Sequence, residues 1–175
     1  MRNFRSLPGV TVSVICDQNQ ERLDHLAQIY PEVEKTTECS RITSDTSIDM
    51  VAIATPVSTH HRLASACLKA GKHTFVEKPL AATSVECREL IDLAEARSLT
   101  LMVGHTFVYT TTVRKIKEIV DSGEIGELMY ISCRRLNLGL FQKDINVAWD
   151  LAPHDLAIIL FIMGGKPVSV NCQGK

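Results

Sequence analysis

Short apolar runs separated by amphipathic stretches set the rhythm of the first hundred residues. Val10-Thr11-Val12-Ser13-Val14-Ile15 is β-branched and nearly continuous, the pattern of a strand buried on both faces. Gln18 to Ile29 follows, with Leu23, Leu26 and Ile29 on one helical face. Met50-Val51-Ala52-Ile53-Ala54 predicts a second buried strand, closed by Thr55-Pro56. A helix from about Thr59 to Ala70 comes next, which Ser58 or Thr59 can cap and Gly71 ends. His73-Thr74-Phe75-Val76 predicts another strand. Thr83-x-x-Glu86 then spells a capping box for a helix reaching Ala96, because each side chain can meet a free backbone N–H of the other. Leu99 to Val103 is a further strand, closed by Gly104-His105. Repeated strand–helix–strand units require parallel pairing with right-handed crossovers. The predicted class is α/β, a doubly wound parallel sheet.

The rhythm changes after residue 105. Val113 to Val120 is helical and stops at Ser122-Gly123, while Glu127 to Arg135 alternates as a strand does. Leu136 to Val147 reads as a loop. Trp149 to Met163 is an apolar helix ended by Gly164-Gly165, and Val168 to Cys172 opens another strand. A division into residues 1–105 and 106–175 follows, the second unit being the unfinished start of an α+β domain.

Charge and cysteines narrow the function classes. A net charge of −1 carries no basic footprint, so neither nucleic acid nor an anionic membrane is expected as partner. The six cysteines are scattered with no C-x-x-C pair, which predicts free thiols, a reducing cytoplasmic setting and no metal site. Leu156 to Met163, the longest apolar stretch, is far short of the roughly 20 residues of a membrane span.

Two stations carry candidate chemistry. Glu77-Lys78-Pro79 sets a carboxylate, an ammonium and a rigid turn at the carboxyl end of a predicted parallel strand, where open α/β sheets bind ligands. Asp150 and His154 stand four apart at the start of an apolar helix and project from one face. Their bland readings are a surface turn, and a capping aspartate beside a half-buried histidine. Together they suggest redox chemistry on a hydroxyl group.

Four stretches, Ser47 to Pro56, Ala70 to Leu80, Asp121 to Glu127 and Trp149 to Leu156, resemble in order and spacing the Gfo/Idh/MocA family (glucose–fructose oxidoreductase / inositol dehydrogenase). The resemblance implies a nicotinamide-dependent oxidoreductase moving a hydride between a sugar, nucleotide-sugar or polyol carbinol and the cofactor. It implies that Lys78 hydrogen-bonds the reacting oxygen, that Pro79 follows a cis peptide, and that Asp150 orients His154, the proton acceptor. Thr55, Pro56, His60, Glu77 and Lys78 itself would face the dinucleotide. His105 and Asp155 would contact substrate, a surface histidine or helix-surface acid being the plain alternatives. Arg134 and Arg135 suit an anionic group or a solvated strand end equally well. Asp17 matches the acidic residue that binds the adenosine ribose, which favours NAD over NADP because a carboxylate repels a 2′-phosphate. The stretch Asn137 to Asp150 resembles the branch acting on nucleotide-linked sugars.

The chain departs from the family in one respect that matters. No G-x-G occurs, and only sixteen residues precede Asp17, against the ~20 that separate the glycine turn from its acidic partner. The expected fold is therefore a partial Rossmann-type sheet lacking its first strand and glycine-rich turn, truncated at both ends. A catalytically inactive remnant acting as a binding or assembly partner is the alternative function. Open strand edges predict self-association, and a full-length protein is expected to be a homo-oligomer.

Overall fold

The computed structural model describes residues 1–136 and 145–174. Its elements run α1 (Arg2–Arg5), β1 (Val14–Cys16), α2 (Gln20–Ile29), β2 (Glu34–Thr36), α3 (Cys39–Ser44), β3 (Met50–Ile53), α4 (Val57–Lys69), β4 (His73–Val76), α5 (Ser84–Ala96) and β5 (Leu101–Val103). A 3-10 turn (Thr106–Tyr109) then leads into α6 (Thr111–Ser122) and α7 (Val147–Met163).

All pairings are parallel, but they fall into two sheets, β1-β2 and β3-β4-β5. In the doubly wound order 3-2-1-4-5-6 one central strand joins two wings. Here no strand among the described residues joins β1 to β3, and the two wings stand as separate ladders.

The core lies on one face of the larger sheet. Ile53 and Val76 of the strands pack with Ala64, Cys67 and Leu68 of α4 and Leu90 and Ala94 of α5. Leu68, Val76 and Leu90 are fully buried, and burial of each such side chain contributes roughly 1.5–3 kcal/mol. The opposite face is open. Met50 and Ala52 of β3 and Met102 of β5 are exposed, and Phe75 of β4 meets the ring of Phe4 edge-on at 6.4 Å. The expectation that β3 is buried on both faces therefore fails: the helices of residues 57–96 cover only one side.

Local signals act as their chemistry requires. Thr83 and Glu86 form the reciprocal capping box of α5. Gly123 and Gly164 close α6 and α7 in the left-handed conformation, with φ of 72° and 65°. The cap expected from Ser58 or Thr59 is not used, because α4 starts earlier, after Pro56; Thr59 Oγ1 instead donates back to the Pro56 carbonyl at 2.7 Å.

Other expectations need correction. Val10 to Ser13 is outside β1, which is the short segment Val14–Cys16. β2 is polar in sequence and carries no apolar run to mark it; an outer strand needs no apolar face. Glu127–Arg135 and Val168–Cys172 alternate correctly yet form no strand, since a ladder needs a partner and none is present among the described residues. Met129, Tyr130, Val168 and Val170 are correspondingly exposed. Of the predicted loop, residues 137–144 lie outside the described residues, as does most of the nucleotide-sugar stretch, while Val147 already opens α7. No described helix is long and apolar enough to cross a membrane.

Candidate active site

β4 delivers Glu77-Lys78-Pro79 at its carboxyl end, with a cis Lys78–Pro79 peptide. From there Lys78 reaches the first turn of α7. Its Nζ donates to Asp150 Oδ1 at 2.7 Å and to the Asp150 carbonyl at 3.0 Å. The two side chains are only 19% and 18% exposed. Beside them Trp149 Nε1 donates to the Ala81 carbonyl at 3.0 Å. The side chain of Asn146 caps α7 by accepting from Trp149 N. Two polar joins thus set the start of α7 against the turn after β4.

His154 lies one helical turn beyond Asp150. Its Nδ1 is buried and has no hydrogen-bond partner among the described residues, and the same holds for His105 Nδ1 at the end of β5. Burial holds both imidazoles below their ordinary value. For His154 the positive Lys78 and Arg135 push the same way, and the opposing pull of Asp150 is weaker than either. Both shifts favour the uncharged ring, the form in which an imidazole can accept a proton. The Phe107 ring meets His154 edge-on at 4.8 Å, and the Arg135 guanidinium sits 5.3 Å from the Phe107 centroid. Asp155 in turn grips Arg135 through contacts of 2.9, 3.0 and 3.2 Å.

The structure brings together Lys78, Asp150, His154 and His105. It pairs Asp150 with Lys78 instead of with His154, because an ammonium at 2.7 Å is a stronger partner for a carboxylate than a neutral ring. Asp155 is engaged by Arg135. Glu77 Oε2 accepts from Lys78 N at 3.2 Å and lies against Gly104, where a Cβ would come within 3.0 Å of it. The missing side chain at Gly104 is thus the space the Glu77 carboxylate occupies.

The residues expected at the dinucleotide are placed less uniformly. Thr55 and Pro56 are exposed past the end of β3, and Thr55 Oγ1 lies 2.7 Å from Thr59 Oγ1. His60 is buried, with Nδ1 2.9 Å from the Pro79 carbonyl and Nε2 2.8 Å from the Thr55 carbonyl. Each nitrogen faces a carbonyl oxygen, of which a neutral ring can donate to one, so buried His60 sits between the two turns and presents neither nitrogen to a ligand. Asp17 follows β1; its Oδ1 accepts from Asn19 N at 2.8 Å, and Arg22 Nη1 lies 3.6 Å from Oδ2. Sequence reasoning missed Arg22, Phe107 and the Trp149 join. Arg22 had a readable signal, a cation one helical turn past the key carboxylate. For a nicotinamide dinucleotide, the residues present offer the Asp17 carboxylate past β1 and, past β3 and β4, Thr55, Pro56, Glu77 and Lys78 as candidate contacts. They do not supply the glycine cradle for its pyrophosphate. No group of three or more His, Cys, Asp or Glu placed to hold a metal occurs among the described residues.

The profile described as the oxidoreductase family with an NAD-binding Rossmann fold matches residues 1–105, and that of the GFO/IDH/MocA C-terminal domain matches residues 113–175. The chain is 32% identical to an uncharacterised oxidoreductase, YdgJ, of Escherichia coli K12, over 94% of its own length and 49% of that protein. It is 30% identical to the UDP-N-acetylglucosamine 3-dehydrogenase of Acidithiobacillus ferrooxidans, over 91% of its length and 49% of the relative. Among solved structures, yvaA of Bacillus subtilis superposes with a TM-score of 0.81 at 26% identity, covering 92% of this chain and 47% of that one. The chain spans about half the length of the curated relatives it matches. With parallel sheets, a Lys-Pro turn beside a paired helix start, and both profiles in succession, the chain belongs to the GFO/IDH/MocA oxidoreductase family.

Proposed function

We propose that this chain carries the reaction centre of a nicotinamide-dependent dehydrogenase acting on a sugar, nucleotide-sugar or polyol carbinol, with the division into residues 1–105 and 106–175 separating cofactor and substrate sides. The carrying observation is the Lys78–Asp150 pair, which sets an ammonium from one segment beside an uncharged His154 of the other. Oxidising a secondary alcohol needs a base for the hydroxyl proton while the carbon gives up a hydride. His154 takes that proton, Lys78 hydrogen-bonds the oxygen as its charge develops, and Asp150 fixes the aim of Lys78. His105 and the Arg135–Asp155 pair line the substrate side. Asp17 binds the adenosine ribose, and Thr55, Pro56 and Glu77 flank the dinucleotide, which when bound accepts the hydride. NAD is the reading for the cofactor, since Asp17 opposes a 2′-phosphate; Arg22 beside it makes the preference moderate. Six unbridged thiols suit a cytoplasmic setting, and the exposed apolar side chains of the second segment suit a homo-oligomer.

The test is NADH formation from NAD with inositols, hexoses and UDP-sugars, in the native chain and in Lys78→Met and His154→Asn. Loss of ~100-fold or more in kcat for each variant is expected for general acid–base groups. An active native chain with unchanged variants would refute the assignment. A second reading, a silent binding or assembly partner, draws on the unjoined wings. A melting temperature raised by NAD would refute that second reading.

A further inference from the structure

The smaller wing carries a feature that the hydride-transfer reading does not use. Cys16, the last residue of β1, and Cys39, the first of α3, hold their Sγ atoms 3.6 Å apart. They are 23 positions apart in sequence, so the fold brings them together, and both are free. Cys39 is exposed and Cys16 partly so, whereas Cys67, on the buried face of α4, lies in the core.

We propose that Cys16 and Cys39 form a reversible disulfide on exposure to a peroxide, pinning α3 to the end of β1. A disulfide needs sulfurs about 2.05 Å apart, so closure asks for movement of about 1.5 Å between two short elements at the surface. Exposed Cys39 is the sulfur a peroxide meets. Its thiolate attacks one peroxide oxygen, the O–O bond breaks, and Cys39 becomes a sulfenic acid as hydroxide leaves and takes up a proton. The Cys16 sulfur then attacks the Cys39 sulfur, the S–O bond breaks, and the departing hydroxide leaves as water with the Cys16 proton. Two thiols lose two electrons and one peroxide becomes two waters. Burial, with Cys39 beside it, pushes the Cys16 thiol up to about 12, so Cys16 stays protonated and leaves the first attack to Cys39; it gives up its proton to the departing hydroxide as the S–S bond forms.

The location gives the bond a consequence. The β1-β2 ladder is not paired to β3, so a covalent tie across it closes the loop through α2 and β2 and limits the opening of that wing. Asp17 adjoins Cys16, so if Asp17 does bind the ribose the same bond restricts the cofactor contact. The bond itself does not depend on that reading.

Treatment of the native chain with a few equivalents of hydrogen peroxide, followed by alkylation and non-reducing peptide mapping, tests the proposal. The expected result is a mass lower by two hydrogens, free thiols falling from six to four, and one linked peptide pair containing Cys16 and Cys39. Dithiothreitol should reverse all three, and the oxidised chain should melt at a higher temperature than the reduced one. Cys39→Ser should abolish the bridge while Cys172→Ser, at an exposed position, leaves it intact. A Cys39–Cys67 link, or conversion of Cys39 to a sulfinic acid with Cys16 still alkylated, would overturn it.

Discussion

Removing either side of the Lys78–Asp150 pair should loosen the join between α7 and the turn after β4, by amounts that the geometry ranks. At 2.7 Å the Coulomb attraction is about 6 kcal/mol for an effective dielectric of 20, before the cost of taking two ions from water. With about four-fifths of each side chain buried, that cost offsets most of the attraction, and a net coupling of about 1–3 kcal/mol remains. Lys78 Nζ also holds the Asp150 main-chain carbonyl at 3.0 Å, a contact that survives Asp150→Asn and is lost in Lys78→Met. Lys78→Met should therefore cost about 2–3 kcal/mol and Asp150→Asn about 1–2 kcal/mol, the double variant falling short of their sum. Urea unfolding of the four proteins followed by Trp149 fluorescence, which reports release of this join, measures all terms, given equal m-values. Because the pair is mostly buried, moderate salt should change the coupling little. A coupling below about 0.3 kcal/mol, or equal costs for the two single variants, would refute the ranking and the view that this pair holds α7 to that turn.

Acid should weaken the same region: His105 and His154 titrate below their ordinary value when folded, so the unfolded chain binds more protons and stability falls as pH drops from about 7 through the folded pKa values. Melting temperatures across that range check it, and the slope should shrink in a His105→Asn, His154→Asn double variant. Thr83→Ala removes one half of the capping box and should cost about 1 kcal/mol by chemical denaturation. Gly123→Ala should cost about 1–2 kcal/mol from its φ of 72° alone, since no atom lies within 4 Å of the added Cβ, and a neutral outcome would contradict the left-handed cap. Light scattering should give a mass above the 19.4 kDa of one chain, because Leu156, Leu160, Val168 and Val170 are exposed; a monodisperse monomer would defeat that expectation.

What the sequence could disclose was local. Thr83 and Glu86 meet within one turn, and Gly123 and Gly164 end helices by their own backbone freedom, so each was legible without knowledge of the rest. The apolar runs at β3 and β4 marked their strands for the same reason. Whether Met50 and Ala52 lie under a covering layer depends on residues far away, and here nothing covers them. The alternation of Glu127 to Arg135 fits a strand, but a strand is a relation to a neighbour that a single segment cannot specify. At the candidate site the spacing of Asp150 and His154 revealed a shared helical face. It could not reveal that Lys78, 72 positions earlier, would claim the carboxylate, or that Arg135 would engage Asp155.

The chain contains one tryptophan, and its indole N–H sits on the seam between the two segments, bonded to the Ala81 carbonyl. That puts a single fluorophore at the contact between α7 and the turn after β4. Its emission should shift to longer wavelength when α7 lifts away, even while α4 and α5 stay folded around their own core. Tryptophan fluorescence reports release of this join and helical circular dichroism the loss of the helices, and any interval between the two curves measures how independently α7 lets go.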